Sequence, residues 1–124
     1  MLGEHPMDVV LLATDMEASR EFYAGKLGLE IFNESPQEIT YRSGDGFLAV
    51  TLSTVGTADE QTQAAWRVPD LAAEVAELRS RGVEVQEYDT PELKTEDGIA
   101  DIGFALIAWI VDPHKNALGI MQVK

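Results

Sequence analysis

The sequence predicts an α+β protein made of two tandem βαβββ modules. Three observations carry that expectation. Two segments share one punctuation: Leu11–Ile31 (LLATDMEASREFYAGKLGLEI) and Ala65–Val85 (AWRVPDLAAEVAELRSRGVEV) each run as an apolar strand, an Asp, an amphipathic helix, a Gly and a second strand. Each repeat is followed by further strand-like runs separated by turns. The chain, 124 residues and 45% hydrophobic, is long enough to bury a core without disulfides, and it contains no cysteine to form them.

Taken in order, the first strand alternates from Asp8 through Ala13. Asp15 then stands where an N-cap carboxylate accepts orphan backbone N–H groups, and Thr14 with Glu17 offers an alternative capping box. Phe22, Tyr23 and Leu27 share one helical stripe, and Gly28 follows the last turn. The strands LGLEIF, EITYRS and FLAVTLS complete the first module, the last two joined through Gly44-Asp45-Gly46. A polar connector near Thr54–Thr62 separates the modules, placed at about 5–56 and 61–124 of a single domain over residues 1–124. In the second module Asp70 caps a helix with Leu71, Val75 and Leu78 on one stripe, ended by Gly82. The strands GVEVQEY, FALIAWIV and ALGIMQV follow, the last two joined by DPHKN.

Composition narrows the function. Asp and Glu total 22 against 9 Lys and Arg, a formal charge of −13. Such a field repels a phosphate backbone, so nucleic acid is not an expected partner, and it gives weak preference to a cationic ligand. The N-terminal MLGEHPMDVV carries no secretory signal pattern, and no apolar run approaches membrane-spanning length, so a soluble cytoplasmic protein without a membrane partner is expected. Without cysteine, thiolate metal sites and a cysteine nucleophile are excluded; no nucleophile-elbow or phosphate-loop pattern appears either.

The stretches DMEASREFYAGKLGLEIF, VPDLAAEVAELRSRGVEV and AWIVDPHKNALGIMQ together resemble the vicinal oxygen chelate superfamily, which includes glyoxalases, bleomycin-resistance proteins and extradiol dioxygenases. The resemblance covers nearly the whole chain. It implies that the two modules form a curved mixed-sheet cup, and that the protein works as a homodimer. Fold does not fix function here.

Metal-using members of that family place a His early in the first strand of each module and a Glu in the last strand of one or both. Here the His positions fall on Asp8 and Gln63, and the Glu positions on Thr51 and Gly119. That set does not make a competent divalent site, so no metal or other cofactor is expected. Alternation instead supplies pocket-lining candidates: Asp8, Val10 and Leu12 on the first strand, and Gln63, Ala65 and Arg67 on its counterpart. Family geometry adds Ala105, Ile107 and Trp109, and Ala117, Gly119 and Met121, with Gly119 opening space. Ligand contacts are therefore expected from Asp8, Leu12, Thr51, Gln63, Arg67, Ile107, Trp109, Gly119 and Met121. Arg67 suits an anionic ligand group, an exposed strand end or a pairing with Asp8. Asp8 is expected to be paired, hydrated or an acid/base, the one catalytic candidate. Residues 88–103 form a long polar connection, read as a lid, a binding loop or plain surface. His114 is expected as an exposed turn residue, with positive φ falling on Lys115 or Asn116.

The resulting expectation is a metal-independent small-molecule binding protein of the glyoxalase and bleomycin-resistance type, holding an apolar or aromatic ligand. The alternative is an enzyme: a metal-dependent glyoxalase-like lyase or dioxygenase, or an acid/base isomerase.

Overall fold

The computed structural model describes residues 1–54 and 61–124, so the connector read near Thr54–Thr62 falls largely outside the described residues. The chain divides into two compact units, one covering the first module together with Pro113–Lys115 and the other covering the rest of the second module.

In the first unit β1 (Val9–Ala13) leads into α1 (Met16–Arg20), followed by β2 (Ile31–Glu34), β3 (Glu38–Ser43) and β4 (Gly46–Leu52). These strands form one sheet in the order β1-β4-β3-β2, with β1 parallel to β4 and the other pairs antiparallel. The parallel pair is what a helical crossover permits. Asp15 is the N-cap of α1: its carboxylate accepts from the Glu17 and Ala18 amides at 3.0 and 3.1 Å, so the cap is Asp15 and not Thr14. Beyond Arg20 the helix widens into a π-helical turn, Glu21–Lys26, closed by the Leu27 amide on the Phe22 carbonyl. That turn directs Phe22 and Tyr23 together into the core, their rings edge to face at 5.0 Å.

The helix covers one face of the sheet, and alternation sorts the strands accordingly. Leu11 and Ala13 are buried while Val10 and Leu12 are 60% and 38% exposed, as the pattern predicts. Ile39, Tyr41, Leu48 and Val50 join the buried set. Burial pushes the Tyr41 phenol up, offset in part by the Ser19 hydroxyl beside it.

The second unit repeats the plan with β5 (Thr62–Arg67), α2 (Leu71–Ser80), β6 (Ala100–Asp101), β7 (Ala105–Val111) and β8 (Ala117–Val123), in the order β5-β8-β7-β6. Asp70 caps α2 through the Ala73 amide, and Leu71 and Val75 bury its apolar stripe. Gly28 and Gly82 take φ of 74° and 80° at the helix ends, where a side chain would be strained.

One expected strand is absent from this sheet. Residues 82–88, read as GVEVQEY, pair with it only where the Gln86 amide donates to the Trp109 carbonyl at 2.9 Å; the edge strand is β6. Val83 and Val85 are buried, so alternation marked a genuine apolar face without a ladder. Residues 88–103 are tied down rather than hinged. The Glu87 carboxylate accepts from the Thr95 hydroxyl at 2.8 Å and the Gly98 amide at 2.6 Å, Thr95 Oγ1 accepts from the Tyr88 amide, and Arg79 pairs with Asp97. This segment does not have the form of a lid.

Two outcomes follow from these ties. A Cβ on Gly98 would lie 2.7 Å from Val85 Cγ1 at a φ of 83°, so Gly98→Ala should cost roughly 1–3 kcal/mol in chemical denaturation. Unchanged stability would mean that the packing against Val85 is not maintained. The Lys124 ammonium and the Gly103 amide hold the Asp101 carboxyl below the usual carboxylate range. A carboxyl so lowered favours the fold above the ordinary Asp range, and the benefit disappears as pH falls through the lowered value. Lys124→Met should move Asp101 back toward that ordinary range in a carbon-detected NMR titration; a static value would exclude Lys124 as the cause.

Candidate functional site

Each sheet carries one helix on one face, and the candidate residues fall on its other face. In the first unit Leu12 pairs with Thr51, and Thr51 with Glu38 on the next strand. The Thr51 and Thr40 hydroxyls both donate to the Glu38 carboxylate, at 3.4 and 3.3 Å. Beyond them lies a group outside the sequence reading. The guanidinium of Arg42 sits 4.4 Å over the Phe32 ring and 5.6 Å from that of Phe47, and the two rings are 4.8 Å apart. Alternation in EITYRS alone would have brought out Glu38, Thr40 and Arg42 opposite buried Ile39 and Tyr41. Phe32 was harder to find, because a β-bulge between Ile31 and Asn33 interrupts the period-two rule at that residue.

Asp8 precedes β1, is exposed, and has no hydrogen bond or ion pair among the described residues. The pairing with Arg67 weighed for it is not formed among the described residues.

The second unit holds the other candidates, set out in rows across three strands. Ala65, Gly119 and Trp109 make one row, and Arg67, Met121 and Ile107 the next. Trp109 is fixed twice: its Nε1–H donates to Thr62 Oγ1 at 2.9 Å, and Tyr88 meets it edge to face at 5.4 Å. Neither Thr62 nor Tyr88 was singled out from the sequence. Gln63 does not present a free amide, because its Oε1 accepts from the Ala117 backbone at 3.2 Å beside a bulge in β5. Ile107 is buried, whereas Arg67 is exposed.

The space at Gly119 is bounded on three sides. A Cβ there would stand 3.4 Å from each of Ala65 Cβ, Ile107 Cδ1 and Thr62 Cγ2, the near edge of ordinary van der Waals contact. The glycine is what lets Thr62 on β5 reach across β8 to the indole on β7.

The turn before β8 also corrects the reading of His114. It is 8% exposed, and its Nε2 accepts the Asp15 amide at 3.1 Å, which an imidazole does only through an unprotonated nitrogen. Asp15 therefore accepts hydrogen bonds through its side chain and donates one through its backbone. Lys115 takes the positive φ, 66°, and fully buried Asn116 closes the turn on Asp112 through backbone and side-chain bonds of 2.7–3.0 Å.

The family's metal positions can be judged one at a time. Asp8 is an unfixed carboxylate, Thr51 is committed to Glu38, Gln63 is committed to Ala117, and Gly119 has no donor. Among the described residues no group of three or more His, Asp or Glu side chains is placed to hold a metal. These donors do not fit a divalent ion.

Two mixed four-stranded sheets, each backed by one helix, define the paired-βαβββ class of α+β proteins. The chain belongs to the Glyoxalase/Bleomycin resistance protein/Dioxygenase superfamily, whose model matches residues 6–118. No curated protein matches it. Among solved structures it is similar to the glyoxalase family protein from Enterococcus faecalis, at 19% identity and a TM-score of 0.74, covering 98% of this chain and 99% of that one. A bleomycin-binding protein complexed with bleomycin gives 20% and 0.70 over 97% and 98%. Lactoylglutathione lyase from Agrobacterium tumefaciens gives 21% and 0.68 over 95% and 92%. The family thus holds both binding proteins and enzymes. No helix among the described residues is long and apolar enough to cross a membrane.

The packing at Gly119 can be probed directly. Gly119→Ala should stay within about 1 kcal/mol of the parent, its Cβ meeting neighbours at contact distance, whereas Gly119→Glu should break the Thr62–Trp109 bond and shift the indole N–H resonance. An unmoved indole signal in the Glu variant would show that the bridge does not cross this position.

Proposed function

We propose that this protein is a metal-independent small-molecule binding member of its family, holding an apolar or aromatic ligand against the uncovered sheet faces. The observation that carries the reading is the Thr62–Trp109 bridge over Gly119. Where metal-using relatives carry a Glu, this chain has built an aromatic wall instead, and the wall is held in one orientation before any ligand arrives. Preorganised aromatic surface with a few polar groups is the usual make-up of a small-molecule site. The bleomycin-binding relative supports binding as a sufficient role for this fold. Acid/base catalysis by Asp8 has less support, because a general base must be held at hydrogen-bond distance from its proton and nothing among the described residues positions this carboxylate. Assembly as a homodimer belongs to the same proposal, and light scattering on the purified chain reads it.

The test combines metal content with ligand response. Protein purified without chelator should hold well under one equivalent of Zn, Fe, Mn or Ni by elemental analysis, and aromatic probes such as 2-naphthamide should raise its melting temperature. Trp109→Ala should weaken those probes about tenfold while leaving the protein folded. A stoichiometric tightly held metal, or probe binding indifferent to Trp109→Ala, would overturn the proposal.

A further inference from the structure

Among the described residues four of the five arginines of this acidic chain are in ion pairs, and the fifth lies beside the aromatic wall. Arg20 pairs with Glu34 and Glu17, Arg42 with Glu30, Arg79 with Asp97 and Arg81 with Glu77, while Lys124 pairs with Asp101. Arg67 makes no ion pair and no hydrogen bond among the described residues, although the chain carries 22 acids against 9 bases. It is exposed at the end of β5 and shares a row with Met121 and Ile107, one row along from Gly119 and Trp109.

The spacing is suggestive of a particular ligand shape. Arg67 and Trp109 are two strands and two residues apart, roughly 12 Å between Cα atoms from the usual sheet spacings. Both side chains are long, so a bicyclic aromatic ring lying against the indole would bring a substituent on its far edge to the guanidinium, over the apolar floor of Met121 and Ile107. A guanidinium binds a carboxylate through two parallel N–H bonds, and only a planar anion uses that geometry fully. The chain's net charge of −13 disfavours an anion at long range, so any preference for one must arise locally.

We infer that Arg67 is the anion-recognition group of the second unit's open face, and that the ligand is a planar aromatic carboxylate. The inference rests on the ligand-binding reading above and names its ligand class. It reverses the preference for a cation that net charge alone suggests.

Ligand-detected NMR titrations with 2-naphthoate, 2-naphthamide and 2-naphthylmethylamine distinguish the cases, since the three probes share a ring system and differ in charge. The carboxylate should bind at least about tenfold tighter than the amide, as a charge-assisted bidentate pair allows. Arg67→Gln should abolish that difference without lowering the melting temperature, and Arg67→Lys should keep part of it. Equal affinity for acid and amide, tightest binding by the amine, or a preference that survives Arg67→Gln would overturn the inference while leaving an aromatic site in place. If Trp109→Ala leaves all three probes unaffected, the binding reading itself fails and this inference falls with it.

Discussion

The constraint on which the rest depends is that each four-stranded sheet is served by one helix. A helix with a single apolar stripe covers one face, and the residues obey: Leu11, Ala13, Ile39, Tyr41 and Val50 in the first unit, and Ala108, Ile110, Leu118 and Ile120 in the second, lie buried on the helix side. The other face then carries what the core does not need. In the first unit that is a threonine pair on Glu38 and an arginine over two phenylalanines; in the second it is a pinned indole, a thioether and an unpaired arginine. Aromatic and cationic groups left out of the core in this way are placed by the sheet register, at fixed intervals, rather than by loops.

Departures from regular structure refine that placement. The π-helical turn after α1 brings Phe22 and Tyr23 inward together, Tyr23 lying 5.5 Å from Tyr41. The bulge in β2 gives Phe32 to the open face beside Arg42, and the bulge in β5 sets Thr62 where it reaches the indole of Trp109. Extra residues in strands commonly re-aim side chains near binding surfaces. Here each bulge has an aromatic ring on the open face that depends on it.

Much of the fold was legible in the sequence because its signals are local. Asp15, Gly28, Asp70 and Gly82 punctuate the helices by the chemistry of unpaired backbone groups and positive φ, and alternation in β1 sorted its two faces correctly. Less was legible where a local rule meets a distant partner. His114 reads as an exposed turn residue because its partner, the amide of Asp15, lies 99 positions away. Residues 82–88 carry a strand pattern, yet no ladder forms beyond Gln86 and the sheet ends in β6. Gly119 reads as empty because a missing side chain cannot report what its neighbours do with the room.

That last glycine has a consequence for how such a site can change over time. A Gly-to-Glu replacement is small as a step in sequence, and it would place a carboxylate on β8. In this protein the new side chain would start in contact with Thr62, Ala65 and Ile107, and would meet the bond that anchors the indole. A carboxylate there therefore competes with the Thr62–Trp109 bond for the same room. At position 119 a new polar donor and an ordered indole are therefore alternatives.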